Sequence, residues 1–245
     1  MSQSKEITLA FDLYGTILST ESIAKELTTH FGDEIATNLV TLWRRYQLEY
    51  TWRLNSMNKY EPFSLVTRKA LRNASQELGF TLTESYADSL MVLYDSLSPF
   101  PDATEALSKL HQQVSCKAVV FSNGTYSMLS NSVHRSPGLK PHANVFEDII
   151  TVDGVQKFKP HPDVYYFLAD RVGLLNTKEA MGSIWLVSGN PFDVAGAKAV
   201  GMKAIWVDRA GKGWMDQLNQ MPEGQPDLIV KDLTEVAKYF AGASK

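Results

Sequence analysis

The chain has 245 residues, 44% of them apolar, which is length enough for one large domain or a domain with a sizeable insertion, and the composition of an ordinary globular protein. Its formal net charge is −3 with no Lys/Arg block, which excludes the electrostatic footprint of a nucleic-acid binder. No stretch approaches the ~18 apolar residues of a membrane span and the opening MSQSKE lacks a signal-peptide run, so a soluble, intracellular protein without a membrane partner is expected.

The run ITLAFD over 7–12, followed at once by Tyr14-Gly15-Thr16, predicts a buried strand that stops in a tight turn and presents Asp12 at its carboxyl end. Ligands of open α/β sheets bind beyond the carboxyl ends of the strands. Taken alone, Asp12 reads better as an ordinary turn residue. The next stretch is helical. Thr20 is placed to cap a helix through Ile23, Leu27 and Phe31 that Gly32 stops. Asp33 is expected to cap a second one, in which Ile35, Leu39, Leu42, Tyr46 and Tyr50 recur at helical spacing. Helices over 64–78, closed by Gly79, and over 83–97 complete a segment without a strand-like run.

SPFPD at 98–102 marks a change of pattern. From there helices over 102–113, 125–134, 162–172, 193–200 and from about 232 alternate with strands over 117–122, 148–152, 184–188, 203–207 and 228–230. Cys116, the single cysteine, excludes an internal disulfide and reads as a packed thiol before the 117–122 strand. Alternating strands and helices predict an α/β fold with a parallel sheet. The expected organisation is a Rossmann-like core, residues 1–17 and 99–245, with a helical cap, residues 18–98, inserted after the first strand. No Gly-rich dinucleotide fingerprint follows that strand, so NAD is not implied. The five histidines show no paired spacing of metal-site type, and His161 reads as a solvated loop residue.

Polar residues fall at corresponding strand ends: Asp12 and Thr16 after the first, Ser122 and Asn123 after the second, Ser188, Asn190 and Asp193 after the fourth. Lys159 in KFKPH approaches the same crevice, with Pro160 restricting its backbone to extended conformations. Each has a bland reading: a turn at Ser122-Asn123-Gly124, a surface lysine at 159, a helix cap at Asp193. Their coincidence at the ends of several strands argues for a site.

FDLYGT, SNG, KPHPDVY and SGNPFDVAGAKAVG, in this order with a helical insertion after the first, resemble the haloacid dehalogenase superfamily; LWRRYQLEYTW in the insertion narrows the resemblance to its L-2-haloacid dehalogenase branch. Two absences agree. Phosphatases of the superfamily carry a second Asp two positions after the nucleophile as general acid, where this chain has Tyr14. They also hold Mg²⁺ with an acidic pair near the fourth strand, where this chain has Gly189. A departing halide needs neither a proton nor a divalent cation.

The resemblance implies an Asp12 nucleophile that forms an ester with inversion, cleaved by water at the Asp12 carbonyl. It makes Lys159 the counter-charge of Asp12 and Asp193. It assigns Asp193, Asn190 and Thr16 to the hydrolytic water, Ser122 to the substrate carboxylate, and Ser188 and Tyr165 to support. Arg44, with Asn123, is the implied halide partner, although an arginine reaching for solvent from the cap edge is the plain alternative. Tyr14, Leu48, Phe63 and Phe192 match positions around the alkyl chain or halide, and ordinary core packing is their rival reading. Arg45, Tyr46 and Gly189 depart from the branch pattern; Gly189 stands where relatives carry a serine. The implied enzyme needs no cofactor or metal, takes a small haloacid as partner, and is a homodimer, to which Trp43, Tyr46, Tyr50 and Trp52 are expected to lend apolar surface. A Mg²⁺-dependent phosphatase and a catalytically idle binding relative are the competing readings.

Overall fold

The computed structural model describes residues 7–114, 116–175, 177–218 and 222–243, so the first six and last two residues of the expected core, with 115, 176 and 219–221, lie outside the described residues. Six parallel strands form one sheet: β1 Thr8–Phe11, β2 Lys117–Ser122, β3 Asp148–Thr151, β4 Ile184–Ser188, β5 Lys203–Val207 and β6 Leu228–Val230. Their spatial order is β3-β2-β1-β4-β5-β6. β1 and β4 are buried along their whole length, which is why their sequences are continuously apolar rather than alternating. Phe11 pairs with Val187, and the Asp12 N–H donates to the Val187 carbonyl at 3.0 Å. The chain leaves β1 toward β2 and β3 on one side and continues to β4, β5 and β6 on the other. Such a reversal opens a crevice at the strand ends, here between the ends of β1 and β4.

Between β1 and β2 run α1 Ala24–Phe31, α2 Asp33–Ser56, α3 Phe63–Glu77, α4 Glu84–Tyr94 and α5 Pro101–Gln113, with no strand among the described residues. The helical segment leaves and rejoins the sheet through adjacent chains: the Ser19 N–H donates to the Ser98 carbonyl and the Phe100 N–H to the Ile17 carbonyl, both at 2.9 Å. α1 is preceded by a 3-10 turn over Thr20–Ile23, so Thr20 lies inside that turn instead of capping the helix. Gly32, not Asp33, is the N-cap of α2; Asp33 and Glu34 occupy its first turn, where negative charge complements the helix dipole. The helix expected to reach 97 stops at Tyr94. Trp43 is buried with its Nε1–H donating to the Thr67 carbonyl at 2.8 Å, so it offers no free surface, whereas Trp52 is 39% exposed.

Beyond β2 come α6 Tyr126–His134, α7 Pro162–Arg171, the single-turn α8 Lys178–Met181, α9 Pro191–Ala199 and α10 Leu233–Ala243. α5 packs on α10 and α7 on α9. α9 starts before the expected 193: Asn190 is its N-cap and Pro191 its first residue, where a missing N–H costs nothing, so Asp193 lies within the first turn. Arg209 ties the rejoining point to the first turn. It donates to both oxygens of Asp102, at 2.9 and 2.8 Å, and to the Thr16 carbonyl at 2.8 Å, while the Leu233 N–H donates to Asp102 at 2.8 Å. Among the described residues no helix is long and apolar enough to cross a membrane.

Candidate active site

Asp12 follows the last residue of β1 and is 5% exposed. Its two carboxylate oxygens are treated differently. Oδ2 accepts from the Thr16 hydroxyl at 2.8 Å and from Asn190 Nδ2 at 2.7 Å. Oδ1 accepts from the Lys159 ammonium at the longer distance of 3.2 Å. Thr16 is held in turn by the Gly189 N–H, which donates to its hydroxyl oxygen at 2.9 Å. Asn190 is held by a second bond from Nδ2 to the Tyr14 carbonyl at 3.0 Å, and its N–H donates to Ser188 Oγ at 3.1 Å.

Lys159 is 1% exposed and fully engaged. Besides Asp12 its ammonium donates to Asp193 Oδ2 and to the Phe121 carbonyl, each at 2.8 Å, and lies 4.2 Å from the centre of the Phe121 ring. Asp193 is completely buried, and its second oxygen accepts from the Tyr165 hydroxyl at 2.8 Å. Burial pushes the Asp193 carboxyl above the ordinary range; the Asp12 charge acts the same way, against the opposing pull of Lys159 and Tyr165. Burial, then the charge of Asp193, holds the Tyr165 phenol far above its usual value, so it stays a neutral donor. Gly196 makes this pair possible. A Cβ there would sit 2.3 Å from the Tyr165 hydroxyl oxygen, so α9 without a side chain at this turn is what lets Tyr165 reach Asp193.

Arg44 reaches across from α2 to the crevice. Its Nη2 donates to the Tyr14 carbonyl and to Asn190 Oδ1, both at 3.2 Å, and its Nη1 to Gln47 Oε1 at 2.7 Å. These partners are neutral oxygens, so the guanidinium meets the pocket with charge to spare for an anion. Gln47 is a site residue that the sequence reading does not single out. It is 1% exposed, accepts from the Tyr94 hydroxyl at 3.1 Å and donates to Thr67 Oγ1 at 2.8 Å. A signal for it exists: Trp43, Gln47 and Thr51 lie four apart on the buried face of α2, where a polar side chain requires partners.

The pocket between α2 and the strand ends is lined by Asp12, Ser122, Asn123, Lys159 and Asn190 on one side and by Tyr14, Arg44, Leu48, Phe63 and Phe192 on the other. Its free space is about 10 Å³, room for roughly one water. Tyr14 stacks on Phe63 at 6.0 Å, and Trp52 packs edge-on against Phe192 at 5.6 Å. Ser122 Oγ accepts from the Gly124 N–H at 3.3 Å, and Asn123 Oδ1 from the Lys159 N–H at 2.9 Å. Thr16, Ser188, Tyr165 and Asp193 stand behind this lining. Arg45 turns away to Glu77 at 3.1 Å, and Tyr46 bonds the same carboxylate, so neither extends the pocket. His161 caps α7 through the Asp163 N–H at 3.3 Å. Burial pushes the Cys116 thiol up to about 11, which keeps it protonated at neutral pH.

A family model for haloacid dehalogenase-like hydrolases matches residues 8–201. The chain is 33% identical over 215 residues to haloacetate dehalogenase H-2 of Moraxella sp. (strain B), covering 88% of this chain and 91% of that one. To an (S)-2-haloacid dehalogenase of Pseudomonas fluorescens it is 32% identical over 237 residues, covering 95% and 96%. Its fold matches the L-2-haloacid dehalogenase of Xanthobacter autotrophicus with chloropropionic acid covalently bound at a TM-score of 0.82 and 28% identity, over 97% of this chain and 99% of that one. The chain belongs to the haloacid dehalogenase-like hydrolases. Within them it falls in the L-2-haloacid dehalogenase branch, as a hydrolase acting on carbon–halide bonds.

Proposed function

We propose that the protein hydrolyses short L-2-haloalkanoic acids to D-2-hydroxy acids through an ester on Asp12, without a metal ion. The observation that carries this reading is the asymmetry of the Asp12 carboxylate, with two hydrogen-bond donors on Oδ2 and one long contact on Oδ1. Oδ1 is then the atom that attacks C2 from the side opposite the halogen. A C–O bond forms as the carbon–halogen bond breaks, and the halide leaves with its electron pair toward Arg44 and Asn123. The Ser122 hydroxyl, with backbone N–H groups of the first turn, binds the substrate carboxylate. Tyr14, Leu48, Phe63 and Phe192 enclose the alkyl chain.

In the second half water adds to the Asp12 carboxyl carbon and negative charge develops on Oδ2. Thr16 and Asn190 already point hydrogens there at 2.8 and 2.7 Å, the geometry of an oxyanion hole, in which removing one donor typically costs about 10²–10³ in rate. The acyl–oxygen bond then breaks, one proton of the water passes to the departing alkoxide and the other to solvent, which returns Asp12 as the carboxylate, and the hydroxy acid leaves with the former Oδ1. Asp193, Asn190 and Thr16 position or activate that water, and Ser188 and Tyr165 support Asn190 and Asp193.

Absence of a metal in the chemistry is supported by sterics and charge. A Cβ at Gly189 would lie 2.6 Å from the Gly15 carbonyl oxygen, so no acidic side chain fits that position without moving the first turn. The Lys159 ammonium already supplies positive charge between Asp12 and Asp193. A phosphate ester would also lack a general acid at Tyr14, whose phenol burial holds far above its usual value. In this reading residues 18–98 form a cap over the core of 1–17 and 99–245, and the enzyme is a homodimer, as the family resemblance implies. The test is halide release from separate L- and D-2-chloropropionate with EDTA present. Release from the L enantiomer alone, abolished in Asp12→Ala, is expected; no release from either enantiomer would overturn the reading for this substrate.

A further inference from the structure

The end of α2 grips the loop that carries Lys159. The Asn55 amide makes two hydrogen bonds to one backbone unit: Nδ2 donates to the Phe158 carbonyl at 2.7 Å, and Oδ1 accepts from the Phe158 N–H at 2.9 Å. Phe158 is fully buried, its ring stacked on Tyr60 at 5.0 Å and tilted against Phe63 at 6.1 Å. Lys157 bonds Asn58, and the Tyr60 hydroxyl donates to Asp153, so the whole approach to Lys159 is held by residues that follow α2 or end it. On its other side, the Lys159 N–H is fixed to Asn123 of the core at 2.9 Å.

We propose that Asn55 is a positioning residue for catalysis: by clamping the Phe158 backbone it sets the reach of the Lys159 ammonium between Asp12 and Asp193, and so couples docking of α2 to the charge balance at the nucleophile. The inference rests on the dehalogenase reading for its kinetic consequence, not for its geometry. Lys159 faces Asp12 from β1, Asp193 from α9 and the Phe121 carbonyl from β2, with Tyr165 of α7 behind Asp193 and Arg44 of α2 beyond Asn190. An amide that donates to the carbonyl and accepts from the N–H of Phe158 pins the peptide units on both sides of its Cα, and with them the direction in which the next residue leaves. The Lys159 ammonium stands 3.2 Å from Asp12. It stands 2.8 Å from Asp193, and a retreat of ~1 Å at an effective dielectric of ~20 weakens that attraction by about a quarter, equivalent to about tenfold in an equilibrium that depends on it.

The experiment compares wild type, Asn55→Ala and Tyr60→Phe in the full-length protein. The Tyr60 variant removes a neighbouring bond to Asp153 but keeps the ring against Phe158. The readouts are the pH profile of kcat/KM for halide release from L-2-chloropropionate and, independently of turnover, 13C NMR titration of aspartate carboxyls with Asp193 assigned through Asp193→Asn. The acid limb and the Asp193 titration are expected to move up in Asn55→Ala, since Lys159 is what opposes the rise of that carboxyl, and to stay in place in Tyr60→Phe. Unchanged titration in folded Asn55→Ala, or an equal shift in both variants, overturns the proposal. Should Asn55→Ala not fold, Asn55→Ser, which keeps a hydroxyl for one of the two bonds, is expected to show a smaller upward shift, and no shift there overturns it. Wild type that releases no halide overturns the dehalogenase reading instead and leaves the NMR comparison decisive for Asn55.

Discussion

Replacing Lys159 with Met removes the ammonium from between Asp12 and Asp193 and fills its place with a side chain of similar length. The two ion pairs that the ammonium makes, at 3.2 and 2.8 Å, carry Coulomb attractions of about 5 and 6 kcal/mol at an effective dielectric of ~20. Much of that offsets the cost of having buried the ammonium, which is why removing one partner of a buried pair has a net cost of about 3–5 kcal/mol. Against a total stability of order 5–15 kcal/mol, Lys159→Met is expected to lose about a fifth or more of it at pH 7.5. The pH dependence has a definite sign. Burial already raises the Asp193 carboxyl, and Lys159 is the largest influence opposing that rise. Without it the folded variant binds protons at a pH where the unfolded chain does not, so its stability rises relative to wild type as the pH falls from 7.5 toward 4.5. Urea denaturation of both proteins at pH 7.5, 6.0 and 4.5 measures the gap. A loss below about 1 kcal/mol at pH 7.5, or a gap that widens on acidification, would refute the reasoning.

Gly189→Ala places a methyl group 2.6 Å from the Gly15 carbonyl and is expected to cost about 1–3 kcal/mol, read as a lower melting temperature; a Tm at or above that of wild type would show that the turn yields freely. Asp102 is half-buried, which alone would raise its carboxyl, but the bonds and charge of Arg209 with the Leu233 N–H outweigh burial and hold it below the ordinary range. A carboxyl lowered on folding stabilises above its unfolded pKa and loses that contribution as the pH falls through the folded one, so Asp102→Asn is expected to be destabilised by on the order of 1–2 kcal/mol at pH 7 and by less near pH 3. Denaturant midpoints at both values measure it, and an equal loss at both would count against the charge-assisted account.

The parallel sheet is legible in the sequence because β1, β2 and β4 are short apolar runs ended by turn residues, a pattern that burial on both faces imposes directly. The pocket lining is legible for a related reason: strand ends in such a sheet converge, so Asp12, Ser122, Asn123 and Asn190 have to meet. Element ends are less so. Asp33 and Thr20 are good capping residues, but neither caps, since Gly32 and Ser19 take those positions through the backbone alone. Helical spacing places Gln47 on the buried face of α2 but does not name its partner Tyr94, and Asn55 escapes a sequence reading because its importance lies in a pair far apart in the chain, with Phe158. Trp43 reads as surface because an aromatic at helical spacing looks alike from either side; the Thr67 carbonyl decides which way it points.

The helical segment begins and ends at a single doorway, where the chain at Ile17–Ser19 runs beside that at Ser98–Phe100. An excursion whose two ends are neighbours is a graft: its length, composition and even its presence place little demand on the register of β1 with β2 and β4. The pocket-lining residues Leu48 and Phe63 therefore lie on a part of the chain that can be exchanged while Asp12 stays where the sheet puts it. Natural variation in this architecture has a direction open to it, in which the pocket wall drifts with the graft so long as Arg44 and Asn55 keep their grip on the stock.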